Sequence, residues 1–274
     1  HFNDLVVGTY GRGFWILDDL SPLQQLSASV TEESSYLFEP RSAYRFHNIT
    51  SPQAMPNDPS DGENPPYGAS INYWLGADVE GEVLLRIEDD RGETVRTLDG
   101  TRRQGVNRVW WDLRGEPSVE IKLRTTPRYA DWVDLGKERW RSGGGEITIL
   151  QPPGRYTVVL DVNGDEHRQQ LQVLKDPNSE GSEADIAVQL AMVQELRDDS
   201  EQIAHGVNEI EWLRRQLLDL QALVADTSDG QQSVVEAIEE VDGTLIAVEE
   251  KLIQMKLTGT GQDRVRWPAM LSGR

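Results

Sequence analysis

The chain has 274 residues, 27 basic against 47 acidic, giving a formal charge of −20, and it contains no cysteine. That length accommodates two domains of ordinary size, each with its own core, while the acidic balance disfavours nucleic acid and anionic membrane surfaces, which are normally met by basic patches. Disulfides, thiolate metal sites and cysteine nucleophiles are excluded outright, and no apolar run has the length of a membrane-inserted helix.

Asp4 to Asp19, DLVVGTYGRGFWILDD, holds two short β-type runs, Leu5 to Val7 and Phe14 to Leu17, joined by a turn rich in glycine (Gly8, Gly11, Gly13). The runs are too apolar for a surface hairpin, and an isolated two-stranded unit is marginal in water. They therefore predict a sheet that began before residue 1, so that the chain is expected to be a fragment of a longer protein. The pattern G-T-x-G-R-x-F-W-x-L-D-D, followed by Ser21-Pro22-Leu23 and by Leu37-Phe38-Glu39-Pro40-Arg41-x-Ala43-Tyr44-Arg45-Phe46, resembles the end of bacterial secreted β-propellers of the BNR-repeat or sortilin-like (VPS10-type), glycosyl-hydrolase-like family. The resemblance continues through Gly62-Glu63-Asn64-Pro65-Pro66-Tyr67-Gly68-Ala69, Asn107-Arg108-Val109-Trp110-Trp111-Asp112-Leu113-Arg114 and Pro152-Pro153-Gly154-Arg155-Tyr156-Thr157. The family usually has His where this chain has Tyr10. The resemblance implies that residues 1–46 are a last-blade hairpin and its exit segment, that the location is extracellular or periplasmic, and that an immunoglobulin-like sandwich follows the propeller.

Ser21 to Phe46 alternates polar and apolar residues without a strong period, and residues 47–68 form a linker rich in Pro, Asn and Asp. From Ala69 the period becomes two: Ile71, Tyr73 and Leu75; Val83, Leu85 and Ile87; Val109, Trp111 and Leu113; Tyr156, Val158 and Leu160. Arg91-Gly92, Asp99-Gly100 and Asn163-Gly164 separate the runs with tight-turn chemistry. Residues 69–176 are thus expected to be an antiparallel β-sandwich of Ig-like or fibronectin-like type, with Trp74 and Trp111 in its core. Residues 114–145 form an excursion long enough to be functional or packed on another element.

Ser182, with Asp185 three residues on, has the form of a helix N-cap. Three-four spacing then runs from Ile186 to Val224 and, after Asp226-Thr227-Ser228-Asp229-Gly230, from Val234 to Met255. Residues 182–274 therefore predict an antiparallel helical hairpin, with Trp267-Pro268 opening a truncated third helix. The predicted class is multidomain β plus α: propeller hairpin, sandwich, helical hairpin.

Glycoside hydrolysis uses two carboxyl groups flanking the scissile bond. Neighbours on a strand point to opposite faces, so neither Asp18-Asp19 nor Glu88-Asp89-Asp90 converges by itself, and both are expected to be solvated turn acids or caps. Asp161-Val162-Asn163-Gly164-Asp165 alternates oxygen ligands but lacks the Gly and Glu positions of an EF-hand, and a hairpin turn explains it. No G-x-S-x-G elbow or P-loop occurs, and His1, His47, His167 and His205 are scattered among polar neighbours. No catalytic residue, metal site or cofactor is therefore assigned. The ligand-binding candidates are Tyr10 and Arg12 at the hairpin turn, and Trp132 and Trp140 in the excursion, because aromatic faces suit sugar C–H groups and Arg suits carboxylates.

The expected function is a non-catalytic C-terminal accessory region that braces a β-propeller and mediates protein or glycan interaction, its first partner being the N-terminal blades. Two alternatives stand beside it: part of a glycoside hydrolase whose active site lies mainly on those blades, and a carbohydrate-binding module.

Overall fold

The computed structural model describes residues 3–11, 13–46, 65–126, 129, 146–225, 232–256, 267 and 270. The chain divides into two compact units, His1–Glu116 with Ile149–Ala191, and Pro117–Thr148 with Met192–Arg274.

The first unit is built on strands. β1 (Leu5–Thr9) and β2 (Gly13–Leu17) pair antiparallel from Leu5 opposite Leu17 to Thr9 opposite Gly13. Gly11 and Gly13 close the turn at φ 75 and 88, a region that costs a side chain free energy. Every residue of both strands is exposed, and among the described residues no third strand joins them.

The exit segment contains more structure than its weak periodicity announces. Two single-turn helices, α1 (Ser21–Gln25) and α2 (Ala28–Glu32), are set by local chemistry. Pro22 occupies the first turn of α1, where its missing N–H costs nothing, and the Ser27 hydroxyl caps α2 by accepting from the Val30 N–H. The three-residue strands β3 (Ser35–Leu37) and β4 (Ala43–Arg45) follow, so residues that the sequence grouped with the hairpin supply an edge strand to each of the two sheets.

The remaining strands are β5 (Ala69–Leu75), β6 (Val83–Glu88), β7 (Thr94–Asp99), β8 (Gly105–Trp111), β9 (Gly154–Val162) and β10 (Asp165–Lys175). One sheet has the order β4-β10-β9-β6-β7 and the other β3-β5-β8; β4 lies parallel to β10 and the other pairs are antiparallel. Their inner faces share one core, in which Ile71, Tyr73 and Leu75 of β5 meet Val83, Leu85 and Ile87 of β6 and Val158 and Leu160 of β9. Each such side chain contributes roughly 2 kcal/mol by leaving water. The periodicity of two is therefore the signature of this shared core. Trp111 is fully buried, edge-on to Tyr156 with ring centroids 5.1 Å apart, and its indole N–H donates to the Arg114 carbonyl at 2.8 Å. Trp74 is a correction to the expected core: it lies between Tyr73 and Leu75 on the strand, so the pleat turns it to the other face, where it is half-buried. Asn163 and Gly164 connect β9 to β10 with φ of 53 and 92, both positive as a type I′ turn requires.

The second unit is helical. The helix α3 (Glu183–Ala225) begins with the predicted cap: the Ser182 hydroxyl accepts from the Asp185 N–H at 3.2 Å, and the Asp185 carboxylate accepts from the Ser182 N–H at 2.8 Å. From Met192 onward α3 belongs to this unit, with α4 (Gln232–Leu252). The two run antiparallel, since Gln221 bonds Glu239, Arg214 bonds Asp242 and Glu249, and Val207 packs near Leu252 and Ile253. Residues 226–230, predicted as the break, lie outside the described residues, as does Pro268.

The structure thus combines mixed β-sheets with a C-terminal helical pair. The described start of the predicted excursion docks along α3: the Val119, Lys122 and Thr125 N–H groups donate to the side chains of Glu201, Asn208 and Glu211, respectively. Ile121 and Leu123 pack against Val207, Ile253 and Met255.

Candidate functional site

In the first unit, β2, β4, β5 and β8 bring polar and aromatic side chains together around Asp19. This residue sits at φ 59 just past β2, and instead of facing solvent as an end-of-strand acid its side chain is wholly buried. Its carboxylate accepts from the Ser70 hydroxyl and, at 3.2 Å, from both the Asn72 amide and the Ser21 N–H. The Arg41 guanidinium lies 3.9 Å away. Burial alone would raise the pKa of Asp19, but the hydrogen bonds from Ser70 and Ser21, with the Arg41 charge, outweigh it and hold the carboxyl below its ordinary value. Arg108 completes the network, donating to Asn72 Oδ1 at 2.7 Å and to the Asp19 carbonyl at 3.1 Å. Asp4 accepts the Asp19 N–H at 2.9 Å and pairs with Arg41 at 3.3 Å. Ser70 and Asn72, the positions that alternate with the core residues of β5, are therefore also buried.

A cavity of about 680 Å³ opens beside this network. Tyr44 and Phe46 enter it from β4 and its end, Tyr67 from the approach to β5, and Trp110 from the face of β8 opposite Trp111. Phe46 and Tyr67 meet edge to face with centroids 4.8 Å apart. The Tyr67 hydroxyl is buried with no hydrogen bond of normal geometry among the described residues, and burial raises its pKa. Asp4, Asp18 and Arg41 also line the cavity. Asp18 is half-buried, and its carboxylate has no hydrogen-bond or ion-pair partner among the described residues.

Of the ligand-binding candidates from the sequence, Tyr10 stands fully exposed at the hairpin tip, whereas Arg12, Trp132 and Trp140 lie outside the described residues. Asp18 and Asp19, just past β2, take different roles, one lining the cavity and the other serving the network. Asp89 caps its turn by accepting the Arg91 and Glu93 N–H groups at 2.9 Å. Asp161 accepts the Gly164 N–H at 2.7 Å within the β9–β10 turn.

Ser35, His167 and Asp165 lie close enough to suggest a nucleophilic triad. The Ser35 hydroxyl is 2.8 Å from His167 Nε2, but Asp165 approaches that same nitrogen at 3.6 Å. A triad needs the acid on the opposite ring nitrogen, and an attacking Ser needs access that the buried Ser35 lacks. Among the described residues no His, Asp and Glu group suits a metal ion, and no helix is long and apolar enough to cross a membrane.

The second unit holds a buried charge cluster. Arg214 Nη1 donates at 3.0 Å to both Glu211 and Glu249, and Nε donates at 2.8 Å to Asp242. Glu211 also accepts from the Thr125 hydroxyl at 2.7 Å and from the Arg124 N–H. Burial, followed by the neighbouring Glu211 charge, pushes Glu249 up to about 7. These contacts join the helices to the extended segment through Thr125.

No protein-family model, curated protein or solved structure matches the chain.

Proposed function

We propose that this chain is the non-catalytic C-terminal accessory region of an extracytoplasmic β-propeller protein. Its first hairpin would complete the last blade, an Ig-like sandwich would brace the propeller, and the helical pair would present a surface for protein or glycan interaction. The carrying observation is the hairpin β1–β2, whose side chains are exposed on both faces: Val6 60%, Phe14 83%, Trp15 64% and Ile16 64%. Contiguous apolar surface of this kind marks a contact site. Strands carrying it on both faces need a neighbouring strand at the edge and packing above and below, which is what a propeller blade supplies. The motif likeness spread from Gly8 to Thr157 supports the same assignment. Two sheets whose inner faces share one core are compatible with the Ig-like sandwich.

The test is the environment of Trp15. In this chain by itself a Trp15→Phe difference spectrum should show a solvated indole, and in a chain extended by the proposed blade strands it should show a blue-shifted, buried one. A solvated Trp15 in both proteins would overturn the assignment.

A further inference from the structure

We propose that the cavity lined by Tyr44, Phe46, Tyr67 and Trp110 binds an organic cation, a primary ammonium or guanidinium of the kind carried by lysine and arginine side chains. Its volume, about 680 Å³, falls within the range of small-molecule and side-chain pockets. Aromatic faces supply an attractive quadrupole for a cation that leaves water. Asp18 supplies the charge, for its carboxylate is half-buried in the wall and without a partner among the described residues.

Arg41 also lines the cavity, but its guanidinium is held between Asp4 at 3.3 Å and Asp19 at 3.9 Å. The positive charge is therefore compensated within the wall, and the excess is negative. An anionic ligand would face Asp4 and Asp18, with no further cation among the described lining residues to receive it. The formal charge of −20 on the chain favours the approach of cations at low ionic strength. A neutral sugar could stack on the same rings, but it would not depend on the charge of Asp18.

The experiment follows the Trp110 indole N–H resonance, assigned through Trp110→Phe, during titration of the whole chain. The probes are Nα-acetyl-lysine methylamide, its neutral Nε-acetylated counterpart and methyl β-glucoside. Saturable shifts are expected for the cationic probe, with a dissociation constant on the order of 1 mM. Binding of the neutral counterpart and of the glucoside should be at least about tenfold weaker, and Asp18→Asn should weaken the cationic probe by about the same factor. Tyr44→Ala, which removes an exposed ring while leaving every carboxylate in place, should weaken it too, and circular dichroism checks that both variants fold. Equal binding of the neutral probe, tighter binding of the glucoside, unchanged affinity in folded Asp18→Asn, or no saturable shift for the cationic probe would each overturn the proposal.

Discussion

Glu211 and Glu249, on facing helices, each place a carboxylate oxygen 3.0 Å from the same nitrogen of Arg214. One guanidinium thus faces two buried carboxyl groups, with Asp242 on its Nε at 2.8 Å. Glu249 responds by holding its proton up to about pH 7. In the unfolded chain the same group would release it near 4.5. Between these values the folded state binds the extra proton, so this contribution to stability is full below the unfolded value and is lost as pH rises through the folded one. The loss is on the order of 2–3 kcal/mol. Thermal melts of the helical unit should therefore begin several degrees higher at about pH 5 than at about pH 8, and Glu249→Gln should flatten that difference. An equal pH dependence in the variant would contradict the assignment to Glu249.

Removing the shared cation should be more damaging than removing either acid. Arg214→Met leaves Glu211 and Glu249 buried beside one another without a counter-charge, and breaking a buried pair in this way costs about 3–5 kcal/mol. Urea denaturation should show the midpoint falling accordingly. Adding Glu249→Gln to Arg214→Met should recover part of the loss, since one of the unpaired charges is then gone.

Adjacent acids in the first unit should behave in opposite ways. Asp19→Ala strips the acceptor from Ser70, Asn72 and Ser21 and leaves buried donors unpaired, which predicts a loss of about 2–3 kcal/mol. Asp18→Ala, with no partner among the described residues, should change stability by less than about 0.5 kcal/mol. Chemical denaturation of the two variants distinguishes them directly.

The β9–β10 turn gives a local test. Gly164 at φ 92 tolerates a side chain poorly, so Gly164→Val should destabilise the sheet by about 1–3 kcal/mol. Exchange of the β10 amides near the turn should accelerate in the variant.

The long strands were legible because apolar residues recur at every second position on the buried face: Ile71, Tyr73 and Leu75, like Val83, Leu85 and Ile87, keep a two-residue period. The period does not disclose that Ser70 and Asn72, the polar positions on either side of Ile71, are buried as well. Here the second face is covered by Asp19, a partner 51 residues from Ser70. β3 and β4 have three residues each, too few to establish a period, and their pairing depends on β5 and β10. The cap at Ser182 and the turn at Asn163-Gly164 were readable because their chemistry is local. The cavity was not, since Tyr44, Tyr67 and Trp110 come from separate segments. The docking of Ile121 and Leu123 beside Val207 likewise depends on contacts between distant parts of the chain.

The central claim, that β1–β2 is the closing hairpin of a propeller blade, is tested most directly by amide hydrogen exchange over Leu5–Thr9 and Gly13–Leu17. In this chain the outward-pointing amides of the hairpin should exchange freely, while in a chain carrying the preceding blade strands they should become protected by at least about a hundredfold. Equal, rapid exchange in the two proteins would contradict the account.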